Sequence, residues 1–105
     1  MKHYFQLTYS VRPLSDDSKD KRAAEKARKL IRENLKWESI SKIETTLVGE
    51  ISIRRSDLDE MRYEAKELID DEIRGMLKEN EVFDDIRVNL SLMVDGLGQH
   101  IEFSM

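Results

Sequence analysis

Between Lys42 and Arg54 the chain alternates: Ile43, Thr45, Leu47, Gly49, Ile51 and Ile53 are apolar or small, while Lys42, Glu44, Thr46, Glu50, Ser52 and Arg54 are polar. Period two sustained over that length predicts a strand with one buried face. The same alternation runs from His3 to Val11, with His3, Phe5, Leu7, Tyr9 and Val11 on one side, and predicts a first strand that stops at Arg12-Pro13 because proline cannot donate to a ladder. From Asp85 it returns with Ile86, Val88, Leu90, Leu92 and Val94 inward. A turn at Asp95-Gly96-Leu97-Gly98 then leads to Ile101, Phe103 and Met105, so the chain is expected to end in a hairpin.

Two helical patterns separate these strands. From about Asp17 to Leu35 the apolar residues Ala23, Ala24, Ala27, Leu30, Ile31 and Leu35 form a narrow stripe, closing near Asn34. Trp37 follows in a connection where a large ring can plug the bottom of the core. The second helix is predicted to start at Asp57, within Ser56-Asp57-Leu58-Asp59, and to stop at Asn80. Its stripe is Leu58, Met61, Ala65, Leu68, Ile69, Ile73, Met76 and Leu77, interrupted by Gly75.

Every strand has a single apolar face, so both helices must cover the same side of the sheet. The expected fold is therefore an α/β two-layer sandwich of one domain over residues 1–105, with a four-stranded mixed sheet and the order β-α-β-α-β-β. Right-handed crossovers would make the first three strands parallel and the hairpin strand antiparallel. A second arrangement breaks the middle segment into two paired strands, Lys36 to Ser41 and Ile43 to Arg54, giving the ferredoxin-like order β-α-β-β-α-β with an extra C-terminal strand. The continuous strand ranks first because a tight turn near Lys42 lacks Gly, Asn or Asp at its centre.

Composition narrows the function classes. The chain has no Cys, which removes disulfides and thiolate metal sites and fits a reducing compartment, so a cytoplasmic protein is expected. The N-terminal Met1-Lys2-His3-Tyr4-Phe5-Gln6 lacks the apolar core of a signal peptide, and no stretch is long and apolar enough to span a membrane. Charged residues are 38% of the chain yet nearly cancel at a net −4, which gives no overall electrostatic footprint for nucleic acid. Locally, Lys19 to Lys36 is basic and Asp57 to Glu81 is acidic, as expected of neighbouring helices that complement one another.

Candidate chemistry is sparse. Two histidines, His3 and His100, provide no zinc site and no nucleophile pair, and Gly96 and Gly98 lie in a strand-to-strand turn instead of opening a helix on a phosphate. The parallel arrangement would gather Asp16, Asp17, Asp57, Asp59 and Asp95 at one end of the sheet, where Mg²⁺ or Ca²⁺ takes oxygen ligands. Four of the five are already explained as helix-start residues. No catalytic residue, metal or cofactor is assigned, and the enzyme question leans to no.

The open sheet face carries the remaining signal. It is expected to be polar except at Tyr4, Val48 and Met93, which mark a surface for a protein partner or for a second copy of the chain, a homodimer. The competing reading is RNA, held by Arg54, Arg55 and Arg87 with the basic first helix. The order of the second arrangement is similar to that of ferredoxin-like RNA-binding and small ribonuclease domains. That resemblance, one of element order alone, implies RNA binding or RNA cleavage.

Overall fold

The computed structural model describes residues 1–40 and 42–105, with Glu44 described by its backbone alone. The elements are β1 (Lys2–Pro13), α1 (Ser18–Glu33), β2 (Glu38–Ile40), β3 (Ile43–Ser52), α2 (Leu58–Glu79), a 3₁₀ turn (Phe83–Asp85), β4 (Ile86–Val94) and β5 (Ile101–Ser104). They build one five-stranded sheet in the order β2-β3-β1-β4-β5, and every pairing is antiparallel.

This corrects the four-stranded, partly parallel arrangement that ranked first. The middle segment is a hairpin, and the element order is that of the second arrangement. A short extra strand has a long-range consequence: the chain turns back before β3, so β3 and then β4 run opposite to β1. β2 has only three residues, too few for a period-two signal. Its pairing with β3 runs from Glu38 opposite Val48 to Ile40 opposite Ile43 and shifts register between Ser39 and Ile40, so even these three residues do not form one regular ladder. Ser41, expected to end the earlier of the two strands, and the outward placement of Glu44's side chain lie outside the described residues.

The alternation of β1 is met throughout, with Phe5, Leu7, Tyr9 and Val11 buried and the residues between them exposed. In β3 it holds for Leu47 and Ile51 and continues to Ile53 just beyond the strand, but fails at the start, where Ile43 is 51% exposed. Thr46 is buried although its register is that of the open face, and its hydroxyl lies 3.4 Å from that of Thr8. β1 and β3 pair only from Lys2–Ser52 to Thr8–Thr46, so Ile43 and Thr45 lie in the hairpin tip, beyond the rungs that the core dictates.

Both helices begin and end at the expected residues. Asp17 caps α1 by accepting from Lys19 N–H at 3.0 Å, Asp57 caps α2 by accepting from Glu60 N–H at 3.3 Å, and Asn34 and Asn80 close them. The buried stripes Ala23, Ala24, Ala27 and Ile31 of α1 and Ala65, Ile69, Ile73 and Leu77 of α2 share one core with the inward residues of the strands. Leu58 and Leu68, counted in the stripe of α2, are exposed. Trp37 seals the end of this core as expected, 7% exposed and packed edge-on to Phe5 at 5.1 Å between centroids. Leu97 tucks under the β4–β5 turn.

Candidate functional site

Side chains of one strand alternate between faces, so the residues between the core positions of β1, β3, β4 and β5 make a second, uncovered face. On it the three expected apolar departures come together. Val48 on β3 and Met93 on β4 stand directly opposite Gln6 of β1, from either side, in a single row across the three central strands. Adjacent strands lie about 4.8 Å apart, so Val48 and Met93 are separated by roughly 10 Å across Gln6. Tyr4 is the next outward residue of β1 and is 67% exposed, and Met93 is 47% exposed. Glu50 lies opposite Tyr4 on one side, and on the other the Asp95 N–H donates to the Tyr4 carbonyl at 2.9 Å.

The middle of the face is a band of small polar groups, with Thr8 opposite both Thr46 and Ser91, and Ser10 opposite Asn89, whose side-chain oxygen accepts from the Ser104 hydroxyl at 2.7 Å. At the far end Arg12 stands directly opposite Arg87. Like charges facing across a strand pair repel, and neither guanidinium has an ion pair with a described residue. The face is thus polarised along its strands, with a carboxylate at Glu50 and another at Asp95 beside the apolar row, and two arginines at the opposite end.

The cations expected to hold RNA are not gathered. Arg87 is on the sheet face, whereas Arg54 and Arg55 lie in the connection between β3 and α2, near the other end of β1. The rungs that separate them, from Ser52 to Arg87 along β1, amount to roughly 33 Å at the usual rise per residue. Their loop is held by Glu64, whose carboxylate accepts from the backbone N–H of Arg54 at 3.1 Å and of Arg55 at 3.0 Å. These bonds to the charged form keep the Glu64 carboxyl below the ordinary carboxylate range. Arg55 also pairs with Glu60 at 3.3 Å.

The antiparallel sheet likewise divides the five aspartates that a parallel sheet would have collected. Asp16 and Asp17 follow the end of β1, while Asp57, Asp59 and Asp95 lie beyond the ends of β3 and β4, at the other end. Among the described residues no group of three or more His, Cys, Asp or Glu side chains is placed to hold a metal ion. His3 is anchored by the Asp95 carbonyl, 2.9 Å from Nδ1, and His100 Nε2 lies 3.2 Å from Glu102. No helix among the described residues is long and apolar enough to cross a membrane.

One residue of this face escapes the sequence reading. Arg12 was treated only as the end of a strand, although the phase of β1 already directs it outward. Its apposition to Arg87 depends on the β1–β4 pairing, which no local pattern encodes. Comparison with known proteins found no matching family model, no matching curated protein and no matching solved structure.

Proposed function

We propose that this chain is a small binding or regulatory protein without chemistry of its own, which pairs with a second copy through the open face of its sheet. The observation that carries the reading is the row Val48, Gln6, Met93 with Tyr4 beside it, an apolar centre in an otherwise polar face. Such a centre with a polar rim has the anatomy of a protein interface. The strands β1, β3, β4 and β5, rising about 3.3 Å per residue and lying about 4.8 Å apart, offer an area of about 550 Å², about two thirds of the roughly 800 Å² per partner of a standard interface.

Charge selects a second copy as the partner. A two-fold axis lying between two such faces, across the strands at the Thr8 rung, exchanges the ends of the sheet. It sets Arg87 of each copy over Asp95 of the other, and Arg12 over Tyr4 and Glu50. The interface is then isologous, the repulsion between Arg12 and Arg87 is offset by acids and a ring from the partner copy, and the apolar row is covered by the small polar band of the partner, with Gln6 over Ser10 and Met93 over Asn89.

The test is the pair of substitutions Val48→Asp and Met93→Asp in one chain. Both sites lie on the open face outside the core, so the circular dichroism spectrum and melting temperature should stay near wild type while association is abolished. A double variant whose mass follows that of the wild type at every concentration would refute the reading. The Arg12–Arg87 apposition also suits phosphate, and it favours single-stranded RNA as the second reading, with Arg54 and Arg55 reached only by a strand running the length of the molecule. RNA binding would weaken steeply with salt through counterion release. Anisotropy of a labelled RNA that stays unchanged at 50 mM salt, a condition chosen for the weakest screening, would remove it.

A further inference from the structure

β3 is longer than its outer neighbour. It spans Ile43–Ser52, and β2 accompanies it only as far as Glu38 opposite Val48, whereas β1 follows it to Lys2 opposite Ser52. Met1 and Ile53 exchange both backbone bonds, from the Met1 amino group to the Ile53 carbonyl at 3.0 Å and from the Ile53 N–H to the Met1 carbonyl at 2.9 Å. Alternate residues of an antiparallel strand direct their N–H and C=O to opposite sides. Ile51 and Ile53 therefore bond toward β1, and Glu50, Ser52 and Arg54 present their backbone to the outer edge. There the Arg54 N–H is already taken by Glu64. Glu50 and Ser52 have no described strand beside them on that side.

This free edge is one wall of a groove of about 1030 Å³ whose other wall is α2. Gly75 lies inside that helix, where glycine is the weakest helix former apart from proline. A Cβ built on it meets nothing within 4 Å, so the packing of the chain itself gives no reason for glycine there. Leu68, beside it in the groove, is 37% exposed, and Met76 is half-buried. Trp37 lines the groove too, and its buried indole N–H has no acceptor among the described residues. Of the carboxylates on the rim, Glu64 is bound to the loop and Glu72 pairs with Lys36 at 3.7 Å, while Glu50, Asp71 and Glu79 have no ion pair with a described residue.

From these features we infer that the groove takes an extended segment of a partner protein as an added strand. The segment's backbone bonds to Glu50 and Ser52, an apolar side chain lies against Leu68 and Met76 over Gly75, and Lys or Arg two residues to either side of it, on the same face of the added strand, meets Asp71 and Glu79. Strand addition beside a helix combines main-chain bonds for affinity with side-chain pockets for specificity. The free acids of the rim make a basic segment the complementary one. The groove lies at the outer edge of β3, apart from the Val48–Met93 row, so the inference stands independently of dimerisation.

The experiment is selection of a displayed library of random heptapeptides on the whole chain, followed by titration of the enriched peptide against the ¹⁵N-labelled protein. The expected sequences carry Lys or Arg flanking an apolar residue and shift the amides of Glu50–Ser52 and of α2 around Gly75. Ser52→Pro removes an outward N–H and no bond to β1, so it should lower affinity at least about tenfold with the fold intact. Gly75→Leu fills the groove from the helix side and should do the same, which decides the matter if the proline variant misfolds. The double variant Val48→Asp with Met93→Asp should bind as wild type. The inference is overturned by an absence of enriched sequences, by enriched peptides without basic residues, by shifts confined to the open face, or by Gly75→Leu binding unchanged.

Discussion

Gly49 shows how closely one residue can be specified. It sits opposite Phe5, and a Cβ there would come within 2.7 Å of Trp37 Cδ1 and 3.0 Å of the Phe5 ring. The indole packs directly on the strand because the glycine leaves room for it. Gly49→Ala should destabilise the protein by roughly 1–3 kcal/mol, the usual penalty for overpacking a filled core, and urea titration measures it. The alternation marked Gly49 as inward and the size of Trp37 marked it as a core plug, but their contact was not legible, since it depends on a strand too short to detect. Glu64 is a second such residue. Its carboxyl, ordinarily near 4.5, is lowered by the backbone N–H groups of Arg55 and Arg54. A lowered folded value means that the contribution is fully present above the ordinary value and is lost as the pH falls through the folded one. Protection of the Arg54 and Arg55 amides against hydrogen exchange should therefore hold at neutral pH and decline in acid below about 4.5, and Glu64→Gln should abolish that pH dependence.

At the scale of elements, what the sequence makes legible is what periodicity and caps encode. α1, α2, β1, β4 and the C-terminal hairpin all lie where their patterns put them, and the caps Asp17, Asp57, Asn34 and Asn80 fall on the expected residues. The arrangement with β2 ranked second because a tight turn near Lys42 lacks Gly, Asn or Asp, and the three residues of the strand, Glu38-Ser39-Ile40, carry no periodic signal to outweigh that. Gly75 isolates the intrinsic helix term from packing. Because its Cβ position is empty, Gly75→Ala should stabilise α2 by about 0.5–1 kcal/mol, read as a rise in melting temperature. A loss of stability would mean that the helix needs glycine for its own backbone.

At the scale of the whole molecule, the missed hairpin changed more than one strand. It reversed the direction of β3 and β4, divided the five aspartates between the two ends of the sheet, and moved Arg87 beside Arg12 and away from Arg54 and Arg55. Tyr4, Val48 and Met93 survived that change, because outward phase depends on each strand's own alternation and the three strands are adjacent in either direction of travel. The result is a face with an apolar row, acids at one end and arginines at the other, for which a two-fold copy is the proposed complement. The most direct measurement of that claim is the molar mass by sedimentation equilibrium across a concentration series at low and high salt. The account predicts a rise from the 12.4 kDa of one chain toward twice that mass, weakened by salt at the charged ends and absent in the Val48→Asp and Met93→Asp double variant. A single-chain mass at every concentration and salt would contradict it.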